Sequence, residues 1–205
     1  MWLLPLVRQL RFMNRYTNPP LLPEIFNAKS LVYFSALTNV QELGFYQLDL
    51  PSFIPQAKQY LEPFMPRLRS LALMRPEGPH HLLLHLIALF PNLDDFRLVS
   101  SRVSPRGLVP IPQSAPLLRG RLTLMWPQGE EFLRDLSELS GGLQFQHMDL
   151  FEAGCSRFLL GACAKTLETL RIHPTRWIGR GGNLDYHRLS DPPTYRSSRI
   201  TTTGL

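Results

Sequence analysis

The sequence predicts an α/β fold, an irregular leucine-rich-repeat-like solenoid with parallel strands on the concave face and helices or loops on the convex face. Three observations predict it. A unit of the form apolar-x-x-apolar-x-apolar occurs seven times, its copies start at nearly constant spacing, and the stretches between copies read as amphipathic helices or proline-rich loops.

The copies are Val7-Arg8-Gln9-Leu10-Arg11-Phe12, Val40-Gln41-Glu42-Leu43-Gly44-Phe45, Leu68-Arg69-Ser70-Leu71-Ala72-Leu73 and Leu93-Asp94-Asp95-Phe96-Arg97-Leu98. A slipped copy follows, Leu118-Arg119-Gly120-Arg121-Leu122-Thr123-Leu124, with one extra residue. Phe145-Gln146-His147-Met148-Asp149-Leu150 and Leu167-Glu168-Thr169-Leu170-Arg171-Ile172 complete the series. Successive starts are 33, 28, 25, 25, 27 and 22 residues apart, close to the period of roughly 20–29 residues of leucine-rich repeats. The last apolar positions of each copy alternate with polar ones, the period of a strand with one buried face.

The spacers supply the second layer. Residues 152–165 place Cys155, Phe158, Leu159, Ala162 and Cys163 on one helical stripe. Residues 128–139 open with Glu130 and Glu131, where a helix dipole favours acids, set Arg134 four residues after Glu130, and stop at Ser140-Gly141-Gly142. Residues 80–90 are apolar nearly all round and predict the most buried helix, and 53–63 is a weaker helix. Residues 101–117 hold four prolines and no stripe, so an extended loop replaces a helix there. The internal asparagine of ordinary leucine-rich repeats is replaced by Leu48, Pro76, Ser101, Pro127, Ala153 and Thr175, which predicts an irregular array. Two regions are expected: a solenoid over 1–174, starting inside a repeat, and a polar, disordered tail over 175–205.

Composition narrows the function. The 205 residues are 44% hydrophobic and 19% charged, ordinary for a packed domain. The net charge is +6, but each end carries an excess of three positive charges while residues 31–173 carry thirteen of each sign. A nucleic-acid surface concentrates its basic residues on the folded body, so nucleic acid is an unfavoured partner. The longest apolar run, Leu82 to Phe90, is too short to span a bilayer and no membrane association is expected. Cys155 and Cys163 sit two helical turns apart, beyond disulfide reach, and no glycosylation sequon occurs. Together these features predict an intracellular chain, cytoplasmic or nuclear.

No catalytic constellation emerges, so no enzyme activity and no cofactor are expected. His81 and His85 share a helix face, but two histidines are half a metal site, and a polar edge on an apolar helix is the plainer reading. Asp94 and Asp95 point to opposite faces of a strand. Gly179-Arg180-Gly181-Gly182 lacks the Lys-Ser/Thr of a phosphate loop.

The informative positions alternate with the buried ones. Three columns are expected across the strands. The middle one runs Arg11, Gly44, Ala72, Arg97, Thr123, Asp149, Arg171. The preceding one runs Gln9, Glu42, Ser70, Asp95, Arg121, His147, Thr169, and the following one Met13, Tyr46, Met74, Val99, Met125, Phe151, His173. From these, Arg97, Arg121, Asp149 and Arg171 are expected to form one charged cluster. Tyr46, Met74, Met125 and Phe151 are expected to form an apolar strip beside it, the pairing a protein surface uses for recognition. The alternative for the third column is core beneath the loops that leave the strands.

The segments Phe34-Ser35-Ala36-Leu37-Thr38-Asn39-Val40-Gln41-Glu42-Leu43, Leu89-Phe90-Pro91-Asn92-Leu93, His147-Met148-Asp149-Leu150-Phe151 and Cys163-Ala164-Lys165-Thr166-Leu167-Glu168-Thr169-Leu170 resemble, in order and spacing, the repeat region of a large family of fungal F-box proteins. The resemblance covers roughly 1–174. It implies the substrate-recognition part of a cullin–RING ubiquitin ligase subunit, whose adaptor would be a partner only if an F-box stands upstream. The chain departs from the family pattern by opening inside a repeat and by leaving the pattern after His173-Pro174, so a truncated product without F-box helices is the expectation. A stand-alone interaction scaffold or a non-functional fragment is the alternative.

Overall fold

The computed structural model describes residues 7–13, 37, 39–99, 102–104, 112, 115–125, 129–151, 157–173 and 198–201. Seven strands of a single sheet come from the seven sequence copies. They are β1 (Gln9–Met13), β2 (Glu42–Tyr46), β3 (Ser70–Met74), β5 (Asp95–Val99), β7 (Leu118–Met125), β8 (Leu143–Phe151) and β9 (Thr169–His173). All are parallel, and each pairs with the copy before and after it in sequence. Such an order arises when every connection crosses one face and returns one strand further on, the step of a solenoid-like α/β array.

Inward positions explain the register. Leu43 and Phe45, Leu71 and Leu73, Phe96 and Leu98, Leu122 and Leu124, and Met148 and Leu150 are all within 2% of complete burial. A slip by one residue would turn each pair out of the core, so burial on one face holds the register. Backbone bonds extend the ladder past both strand ends. The N–H groups of Gln41, Arg69 and Asp94 donate to Arg8, Gln41 and Arg69, and those of Gln47 and Arg75 to Met74 and Val99, all at 2.8 Å.

Among the described residues four helices cover that face: α1 (Leu50–Leu61), α2 (His80–Ala88), α3 (Glu130–Ser137) and α4 (Arg157–Cys163). Leu50, Phe53 and Leu61 of α1, Leu83, Leu84 and Ile87 of α2, Phe132 and Leu136 of α3, and Leu159 and Cys163 of α4 join the strand residues in one continuous core. The weaker 53–63 spacer is a full helix: Pro51 sits in its first turn, where the missing N–H costs nothing, and Pro55 is accommodated one turn later. On α4 the expected stripe is only partly inward, for Leu159 and Cys163 are buried while Ala162 is exposed and Leu160 packs against the core instead. Cys163 is a free thiol; Cys155 lies outside the described residues.

The positions of the absent asparagine do something different. Leu48 is 1% exposed and Pro76 is buried, so apolar packing replaces an amide ladder. The chain then enters a second, small parallel sheet: Asp49 bridges Glu77, and β4 (Glu77–Pro79) pairs with β6 (Arg102–Ser104). In the proline-rich spacer, the described residues include this short strand. At the slipped copy the register shifts: Gly120 pairs with Phe145 and Arg121 with His147, so Gln146 of the neighbouring strand is passed over, a bulge beside the copy's extra residue.

Within the polar region expected over 175–205, one short segment is described. Residues 198–201 form β10 (Ser198–Thr201), antiparallel to β9 at the end of the sheet. A parallel array ends in a row of open N–H and C=O groups, and pairing with β10 satisfies β9's row. Residues 174–197 and 202–205 lie outside the described residues.

Candidate binding face

The face opposite the helices carries the three columns with the register the alternation predicts. Arg11, Gly44, Ala72, Arg97, Thr123, Asp149 and Arg171 are consecutive cross-strand partners. So are Gln9, Glu42, Ser70, Asp95, Arg121, His147 and Thr169, nearer the strand N-termini, and Met13, Tyr46, Met74, Val99, Met125, Phe151 and His173, nearer the C-termini.

The expected single cluster of Arg97, Arg121, Asp149 and Arg171 sorts into two ion pairs and one unmatched arginine. Arg97 turns along its own strand and donates to Asp95, Nη2 to Oδ2 at 2.6 Å and Nε to the same oxygen at 3.1 Å. Ser70 donates to that Asp95 oxygen from the next strand. The Asp95 hydrogen bond, opposed by partial burial and helped by the charges of Asp95, Glu42 and Asp149, raises the Arg97 pKa above its ordinary value. Arg171 Nη1 lies 3.7 Å from Asp149 Oδ1 on the adjacent strand. Arg121 is exposed and, among the described residues, forms no ion pair; its cross-strand partners are Asp95, already engaged by Arg97, and His147. Sequence spacing placed these residues on one face correctly but could not reveal which acid each arginine chooses, because that depends on side-chain rotamers.

Tyr46, Met74, Met125 and Phe151 are half-buried and form one row, interrupted by Val99, which is 8% exposed. The Arg75 guanidinium stands 5.9 Å from the Tyr46 ring centroid, and Phe151 stacks on His173 at 3.9 Å. The middle row is low where Gly44 and Ala72 stand. A Cβ on Gly44 would lie 3.2 Å from Arg11 Cγ, so the absent side chain leaves room for Arg11 to lie across the neighbouring strand.

A second polar set lies at the strand N-termini. Asp94 receives Arg69 Nη1 at 3.2 Å and Arg119 Nε at 3.0 Å, and with Gly120, Gln144, Gln146 and Thr166 it lines an open groove of about 490 Å³. Its charges are mutually satisfied and its walls are exposed, which suits a solvated edge.

One polar contact escaped the sequence reading. His80 Nε2 lies 2.7 Å from Asp135 Oδ2, joining α2 to α3, with both side chains buried. The available signal was Asp135 itself, which shares the inward stripe of α3 with Phe132 and Leu136; a carboxylate there requires a partner. His81, expected as a polar edge, is instead 5% exposed, because α2 is enclosed on nearly all sides. Among the described residues no group of three or more His, Cys, Asp or Glu could hold a metal ion, and no helix is long and apolar enough to cross a membrane. No protein-family model, curated protein or solved structure matches the chain.

Proposed function

We propose that the chain is an irregular leucine-rich-repeat-like solenoid that binds another protein across the open, concave face of its sheet. In the fuller reading it is the substrate-recognition part of an F-box protein of a cullin–RING ubiquitin ligase. The observation that carries protein binding is the continuity of the three columns across seven in-register strands. An apolar row beside a row of mixed charge is the composition of an interface core with its rim. The ligase assignment rests on the resemblance of the repeat segments to the fungal F-box family, and it implies a cytoplasmic or nuclear protein.

The binding reading is tested with immobilised wild-type chain and a Met125→Glu, Arg121→Glu double variant. A partner identified on the wild type and then purified should bind it directly and fail to bind the variant, with circular dichroism and melting unchanged. Equal binding by the variant would place the interface elsewhere. The ligase reading is tested separately: a coding segment for F-box helices upstream, together with co-purification of the ligase adaptor with the longer product, supports it. A longer product without that adaptor leaves a stand-alone scaffold.

A further inference from the structure

We infer that the occupant of the open face is an acidic peptide segment, docked by a carboxylate on Arg121 and an apolar side chain on Met125 and Phe151. This inference rests on the protein-binding reading and specifies the chemistry of the partner.

Charge balance on the open face singles out Arg121. The open columns carry four arginines and three carboxylates among the described residues. Arg97 is taken by Asp95 at 2.6 Å and Arg171 by Asp149 at 3.7 Å. Arg11 has Glu42 as its diagonal neighbour, since Gln9 pairs with Glu42 and Arg11 with Gly44. Arg121 is left with a guanidinium in solvent and no acid to spare beside it. A guanidinium offers a planar fork of donors that fits one carboxylate with two parallel bonds. The same surroundings disfavour a polyanion. Glu42, Asp95 and Asp149 all act on Arg97 near the middle of the face, and a run of phosphates laid there would meet them.

Geometry fixes the spacing. Arg121 and Met125 lie on one strand, and the alternation that buries Leu122 and Leu124 points both toward the open side. Four residues of strand span about 13 Å, and Thr123 between them is small enough for a peptide to pass. At Met125 the neighbouring strand contributes Phe151, its cross-strand partner, so the apolar end is a two-strand platform. An extended peptide advances by the same rise per residue. Its carboxylate and its apolar residue should therefore also stand about four positions apart.

The test is selection from a library of random short peptides on the immobilised chain. Peptides enriched on the wild type should carry Asp or Glu about four positions from Met, Leu or Phe. Arg121→Glu should select Lys or Arg at the same place. A peptide chosen on the wild type should bind Arg121→Gln about tenfold more weakly, the scale of one charged hydrogen-bonded contact. Should Arg121→Glu melt early, Arg121→Gln alone decides, because it must lose the acidic preference without acquiring a basic one. Enriched peptides with no acid at that spacing, or a preference indifferent to Arg121, overturn this inference while leaving protein binding intact. A single-stranded oligonucleotide bound more tightly than any peptide overturns it as well. No enrichment at all on the wild type overturns it together with the reading beneath it.

Discussion

Gly120→Ala isolates what the bulge between β7 and β8 requires. Gly120 has φ of +77°, a left-handed conformation, and a Cβ there would stand 2.2 Å from the Asp94 carbonyl oxygen and 3.1 Å from its carbon. Holding a side-chain-bearing residue in the left-handed region costs about 1–2 kcal/mol. The contact is with backbone, so it cannot be relieved by a rotamer change. Clearing it means moving strand from strand, and overpacking of this kind typically costs about 1–3 kcal/mol. The carbonyl in the way also accepts the Arg121 N–H at 2.8 Å, a bond whose net loss adds about 1 kcal/mol. The sum is about 3–6 kcal/mol, a large share of a typical domain's stability. It corresponds to a melting temperature lower by roughly 6–24 °C for a chain of this size. Urea unfolding followed by circular dichroism reads it directly, with the midpoint lowered. Gly161→Ala is the companion control: that glycine lies inside α4 with nothing within 4 Å of its Cβ position. It should gain about 0.5–1 kcal/mol from helix propensity. A shift in stability of less than about 1 kcal/mol for Gly120→Ala would refute the close approach of Gly120 to the Asp94 carbonyl.

Removing either member of the buried His80–Asp135 contact should cost about 3 kcal/mol, and a double-mutant cycle in urea should show the double variant costing less than the sum; strict additivity would mean the two do not act together. Burial raises the Cys163 thiol pKa, so the folded state holds its proton longer than the unfolded one, and stability should fall as pH rises through the unfolded thiol's range near 9. In a Cys155→Ser background the Cys163 thiol, 0% exposed, should react with a disulfide reagent only as fast as the protein opens; immediate labelling would refute its burial. Arg97→Glu places a carboxylate beside Asp95, within the field of Glu42 and Asp149, and should lower stability by about 1 kcal/mol. Arg121→Glu should stay within about 0.5 kcal/mol, and equal losses in thermal melts would contradict the different surroundings described for the two arginines.

The seven strands that come from the repeat copies, and their order, were legible in the alternation of apolar and polar residues. Leu71 and Leu73 or Phe96 and Leu98 bury only if every second residue turns inward, and a period of 2 repeated at intervals of 22–33 residues admits one in-register parallel stacking. The rows holding Tyr46, Met74, Met125 and Phe151, and Arg97, Asp149 and Arg171, follow from the same alternation. Tertiary structure decided what depends on distance between remote segments. Arg97 chooses Asp95 rather than a shared cluster because its side chain reaches back along its own strand, leaving Arg121 unmatched. His80 meets Asp135 across 55 residues because α2 and α3 pack together, a proximity that no local pattern encodes. The four residues of β10 look like solvated tail in sequence because their bonds are backbone bonds to β9, and an open strand edge accepts a partner without asking for an apolar period.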